Sequence, residues 1–170
     1  NTIADLVSEN YFGQIQLSNA TVTVNGMATE PAPAPVTAIA GQPLTPAQVG
    51  TGGAQAAALE SVLISLSNLD VTEVEPAPGA GDKAPTNEFV VNGALRVNDL
   101  LYLVSPLPVV GVNYASITGI LELRNSNSKI EPRAAADLVL GPPRLTAVTP
   151  DGYTRVGVMG APTVPVAMQA

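Results

Sequence analysis

The sequence predicts an all-β fold, a barrel or sandwich of mixed short and long strands with one short helix and a β-prone C-terminal tail. Three observations carry this. Short alternating apolar segments recur between Gly, Pro and Asn punctuation. Good helix formers run together only once, in AQAAAL at residues 54–59. The stretch 110–140, VGVNYASITGILELRNSNSKIEPRAAADLVL, reads as a hairpin that closes a barrel.

Residues 2–12 are expected to form a long strand, with Gly13 as a bend and residues 14–17 and 21–24 continuing as strand. Asn25-Gly26 is a turn signal. EPAPAP at 30–35 favours extended polyproline, and the weakly periodic residues through Gly53 read as a surface connection. Residues 54–59 should give one or two helical turns. In 60–73, Val62, Ile64 and Leu66 alternate before the apolar phase slips to Leu69 and Val71, which predicts a β-bulge near Ser67-Asn68. Residues 76–85 form a loop tip. Three short strands follow at 88–91, 95–97 and 100–104, and Pro106 and Pro108 lead into the closing hairpin.

In that hairpin Ile117, Leu121 and Leu123 oppose Thr118, Glu122 and Arg124, the period of a half-buried strand. Gly119 falls on the apolar face, which marks a bulge or a close backbone approach. Residues 125–128 are turn chemistry, and 129–131 begin the return strand. Pro132 ends ladder donation, and 135–140 re-enters the sheet. Gly141-Pro142-Pro143 sets a boundary, giving a barrel domain over 1–141 and an extension over 142–170. The extension holds three β-prone pieces that cannot bury a core alone. It either packs on its own barrel or pairs with a neighbour, and Val156, Val158, Val164 and Val166 would be its anchors.

Several of these residues carry a resemblance. Gly111, Ile117-Thr118-Gly119, Leu121, Pro132-Arg133 and Asp137-Leu138 resemble the end of an OB-fold-like domain of bacterial secreted proteins and lipoproteins. That domain often stands ahead of extracellular endonuclease-type catalytic domains. Residues 11–17, 31–35 and 58–64 are similar to its earlier strands, and the likeness spans roughly 3–140. It implies an OB-like barrel, an extracellular or cell-surface bacterial location, and structural roles for Gly119, Pro132, Arg133 and Asp137. The family pattern opens with an earlier strand pair that has no counterpart here. A barrel short of those strands would keep an open edge. The missing Met and apolar leader suit a processed or trimmed product.

Composition narrows the function classes. Charged residues are 12% of the chain, about half the usual ~25%, so much of the surface must be small and apolar and contact with partners is favoured. No apolar run reaches the ~18 residues of a membrane span. With no His and no Cys, the commonest general base, the usual zinc ligands and disulfides are missing. A Ser nucleophile would need Lys83 or Lys129, and both are expected to be solvated in turns. Phosphate-loop and dinucleotide motifs are absent. The chain therefore reads as no enzyme. Asp70, Glu73, Glu75 and Asp82 are weak calcium candidates, since loop carboxylates suit calcium but here lack an EF-hand spacing. No other cofactor is indicated. A net charge of −7 with scattered basic residues and few aromatics argues against nucleic acid, although OB-like barrels often bind it.

The expected function is a non-catalytic extracellular structural subunit that self-assembles by β-strand addition into a filament or other polymer. The alternative is an accessory OB-like interaction or ligand-binding module of a larger secreted enzyme such as a nuclease.

Overall fold

The computed structural model describes residues 2–4, 7–11, 14–19, 21–26 and 33–142. Two units occur among them, an N-terminal β-ribbon and a β-barrel.

The ribbon comprises β1 (Thr2–Ala4), β2 (Val7–Tyr11), β3 (Gln14–Ser18) and β4 (Thr21–Thr23). β1 pairs antiparallel with β4, and β2 with β3. Partner numbers always total 25, from Thr2 opposite Thr23 to Tyr11 opposite Gln14, so both pairs belong to one hairpin in one register. Tyr11 pairs with Gln14, so the chain reverses between them. Gly13, where a bend is expected, lies outside the described residues.

A short hairpin, β5 (Ala38–Ile39) with β6 (Gln42–Pro43), leads to helix α1 (Pro46–Val49). The helix lies eight residues ahead of the expected one. Pro46 takes its first turn, and the Thr45 N–H donates to Gln48 Oε1 at 2.9 Å. Residues 54–59 form successive turns instead. Six residues with no cap do not offset the cost of helix nucleation. Leu44, Val49 and Leu59 from this region all enter the core.

The barrel wall contains β7 (Leu63–Val74), β8 (Phe89–Val91), β9 (Leu95–Val97), β10 (Asn113–Arg124) and β11 (Asn127–Glu131). The order around it is β7-β8-β9-β11-β10, and β10 returns to β7. Every pair is antiparallel except β9–β11. First, second, third, fifth, fourth is the order of an OB-type Greek-key barrel. The wall closes on these five strands alone, which corrects the expectation of an open edge within it. A sixth strand, β12 (Leu138–Leu140), follows a 3-10 turn at Ala135–Asp137 and pairs with the first half of β10.

Closure needs two long, bent strands. In β7 the buried residues are Ile64, Leu66, Leu69 and Val71, with Ser67 and Asn68 exposed between them. The expected phase slip is there, and Asn68 holds it with φ +56°. β10 slips at the matching place, Ala115–Ser116, so the β7–β10 register continues across it. A second irregularity lies between Val71 and Glu73 against β8. β7 lies between β10, which pairs with its first part (63–70), and β8, which pairs with its last part (71–74). Phe89 and Tyr114 stack inside, ring centroids 5.9 Å apart.

The expected strand at 100–104 is irregular backbone. Beyond Val97 its ladder partner is lost, because β11 ends at Glu131 and Pro132 turns the chain away. The turn at Asn125-Ser126 has positive φ at both residues, 53° and 62°, as a two-residue hairpin of type I′ demands.

Gly119 marks a close backbone approach. A Cβ there would lie 2.6 Å from the Glu131 carbonyl oxygen and 2.8 Å from Ile130 Cγ1. Since the first obstacle is backbone, it cannot rotate aside. Gly119→Val should therefore lower the unfolding free energy by about 3 kcal/mol, measured by urea titration. An unchanged midpoint would contradict this packing.

Candidate interaction surface

In OB barrels the outer face around the second and third strands, with the loops joining strands one to two and four to five, takes oligonucleotides or sugars. Here that face is occupied by the chain itself. Strand alternation sends Leu95, Val97 and Ile130 inward and Arg96, Lys129 and Glu131 outward. The segment between β7 and β8 then folds across the outward side chains. Its base is clamped by Glu75, whose carboxylate accepts from the Thr86 N–H at 2.7 Å and the Asn87 N–H at 3.2 Å. Its tip bonds to the β10–β11 turn. Ala80 N–H donates to the Asn125 carbonyl, and Asn125 Nδ2 donates to the Ala80 carbonyl, both at 3.0 Å. Gly79 permits this contact, since a Cβ would sit 2.2 Å from the Asn125 oxygen. The two loops that would flank a ligand groove are bonded to each other.

Beneath this cover lies a charged cluster. The Lys129 ammonium donates to Glu88 Oε1, approaches Asp82 Oδ2 at 3.6 Å, and reaches Asn125 Oδ1 at 3.4 Å. Arg96 binds Glu88 Oε2 at 2.9 Å and the Ala77 carbonyl at 2.9 Å. The Glu88 and Lys129 side chains are 0% and 1% exposed. Lys129 is therefore buried in an ion pair, not solvated in a turn as expected. The covering loop, distant in sequence, supplies what alternation alone does not reveal. Arg124 lies 3.7 Å from Glu122, and Arg133 binds Asp137. Four of the five Lys and Arg among the described residues are thus held by carboxylates.

Glu131 stands beside this cluster, accepting from Asn98 Nδ2 at 2.8 Å and the Leu100 N–H at 3.3 Å. Burial pushes its carboxyl up to about 7, and the charge of Glu122 adds to this. The bonds from Asn98 and Leu100 and the charge of Lys129 act the other way.

The calcium candidates are not gathered into one site. Asp70 accepts from Asn113 Nδ2 at 2.8 Å, Glu75 clamps the loop base, Asp82 faces Lys129, and Glu73 is exposed. Among the described residues no group of three or more His, Cys, Asp or Glu could hold a metal ion. Arg133 and Asp137 do meet. The guanidinium binds both carboxylate oxygens, at 2.8 and 2.9 Å, and the Arg133 N–H adds a third bond. Arg133 holds the Asp137 carboxyl below its usual range, chiefly by hydrogen bonding. With Pro132 buried beside it, this pair fixes the corner between β11 and β12.

The other notable surface is apolar. Between residues 33 and 142 the exposed large hydrophobic residues are Leu100, Leu101, Leu103, Val109, Val110, Val139 and Leu140. All fall in two segments, the β9–β10 connection and β12. Val109 and Val110, at the end of the first segment, and Leu140, at the end of the second, flank Asn113, where β10 begins and whose carbonyl accepts from the Gly141 N–H at 2.8 Å. The Leu100 N–H, by contrast, bonds to Glu131 at the end of β11. Val104, Leu107, Val112 and Leu138 pin the two segments to the core, which leaves the remaining side chains facing out. No charged residue occurs from Leu100 to Leu121. Among the described strands β12 has a neighbour on one side only. Uncharged composition is legible in the sequence, but the approach of 109–110 to 139–140 depends on β12 turning back along β10. The proposed anchors Val156, Val158, Val164 and Val166 lie outside the described residues.

Among the described residues no helix is long and apolar enough to cross a membrane. No family model, curated protein or solved structure matches the chain.

Proposed function

We propose that this chain is a non-catalytic extracellular structural subunit that self-assembles by β-strand addition at the apolar surface beside β12. The observation that carries the reading is that the exposed large apolar residues of the barrel unit fall in two uncharged segments, of which Val109–Val110 and Val139–Leu140 flank Asn113 beside β12. An apolar surface beside a strand edge with no neighbour among the described strands offers both sources of affinity in strand addition. The covered OB face and the paired cations weigh against a polyanionic ligand. A second reading, an accessory module of a larger secreted enzyme, draws support from the OB strand order. It expects a monomer at every concentration.

Light scattering on the purified chain separates the two. The self-assembly reading expects species larger than 17.3 kDa that grow with concentration. It expects Val110→Lys/Leu140→Lys to be monomeric with an unchanged melting midpoint. A parent chain that stays monomeric into the millimolar range, or a variant that assembles as the parent does, overturns it.

A further inference from the structure

We infer that the N-terminal β-ribbon of one copy adds to the β12 edge of the next, so that the assembly runs head to tail. The inference rests on the self-assembly reading above and names its donor. The ribbon is a preformed pair of strands in a single register over residues 2–23. Among the described strands its own pairs with no barrel strand. A two-stranded hairpin is marginal alone in water and needs a third strand or an apolar surface to persist. Its β4 is exposed at all three residues, and Val22 and Val24 are 59% and 73% exposed. Those two are the other exposed large apolar residues among the described ones.

Donor and acceptor match. β4 and β12 are three residues each. Val139 and Leu140 on the acceptor are 48% and 65% exposed. Neither surface carries charge, since residues 10–29 hold no Asp, Glu, Lys or Arg and neither do 138–142. Docking then desolvates no ion. A second copy is favoured over the same chain by the spacer. In EPAPAP at 30–35 every second residue is Pro, a composition that favours extended chain. A contact between two different surfaces of one chain is heterologous and gives a ring or an open filament.

The chain contains no Cys, so single thiols report cleanly. Val22→Cys chains are mixed with isotopically labelled Val139→Cys chains and oxidised mildly, and the products are weighed. Adjacent strands bring Cα atoms within disulfide reach. The expected result is a disulfide joining labelled to unlabelled chain, at least fivefold over either homodimer. Val22→Lys/Val24→Lys should abolish the large species and leave the barrel's melting midpoint unchanged. If polymers persist in that variant and Val139→Cys pairs with Val158→Cys chains instead, the ribbon is not the donor, while self-assembly stands. If Val22→Cys/Val139→Cys closes within a single monomeric chain, the ribbon docks on its own barrel and the head-to-tail arrangement is overturned. If the parent never exceeds a monomer, both readings fall together.

Discussion

Glu88→Gln is expected to lower the unfolding free energy by about 3–5 kcal/mol, the cost of leaving one partner of a buried pair behind. Glu88 is fully buried and accepts from both Lys129 and Arg96. A neutral amide leaves an ammonium that is 1% exposed with only the more distant Asp82 carboxylate, at 3.6 Å, as its anion. Arg96, at 18% exposure and with the Ala77 carbonyl as a second acceptor, is better placed to turn toward water. The double variant Glu88→Leu/Lys129→Met should recover most of the loss, since a buried pair often contributes little over apolar residues of similar volume. Urea unfolding of the two variants checks this. A single variant within 0.5 kcal/mol of the parent would mean the cluster is hydrated and the covering loop open.

Glu131 makes the second large prediction, in pH. Its folded value near 7 stands above the ordinary carboxyl value of 4.5. Between those values the native chain keeps a proton that the unfolded chain has released. Stability from this group is therefore fully present below about 4.5 and is lost as pH rises through 7, by about 3 kcal/mol in all. Glu131→Gln cannot ionise and should flatten the decline between pH 5 and 8, so that it is more stable than the parent at pH 8. Asp137 acts in the opposite sense at the acid end, because its lowered value withdraws stability only as pH falls below the usual carboxylate range. A Glu131→Gln variant whose pH profile parallels the parent would show that the carboxyl is solvated.

Much of the barrel could be read from alternation. Ile117 and Leu121 on one face, the slip at Ser67-Asn68, and a turn after Arg124 are local signals, and each appears in the structure, although the turn is tighter than the expected 125–128 and β11 begins at Asn127. Gly119 was legible as either a bulge or a close backbone approach, and the Glu131 carbonyl 2.6 Å from a Cβ there selects the second. What failed needed long-range information. The helix went to Thr45-Pro46, whose cap outweighs the propensity of 54–59. Lys129 read as solvated because nothing near it in sequence foretells Glu88 and the loop from 75 to 88 folding over it. Residues 100–104 have strand composition but no strand beside them. The candidate surface was half visible. Its lack of charge is a property of composition, whereas its position beside a strand edge follows from tertiary placement of β12 on β10.

Electron microscopy of the purified, concentrated chain tests the central claim most directly. Self-assembly through the surface beside β12 predicts ordered rings or filaments of uniform width that disappear in Val110→Lys/Leu140→Lys. A field of uniform particles of monomer size at every concentration would contradict it.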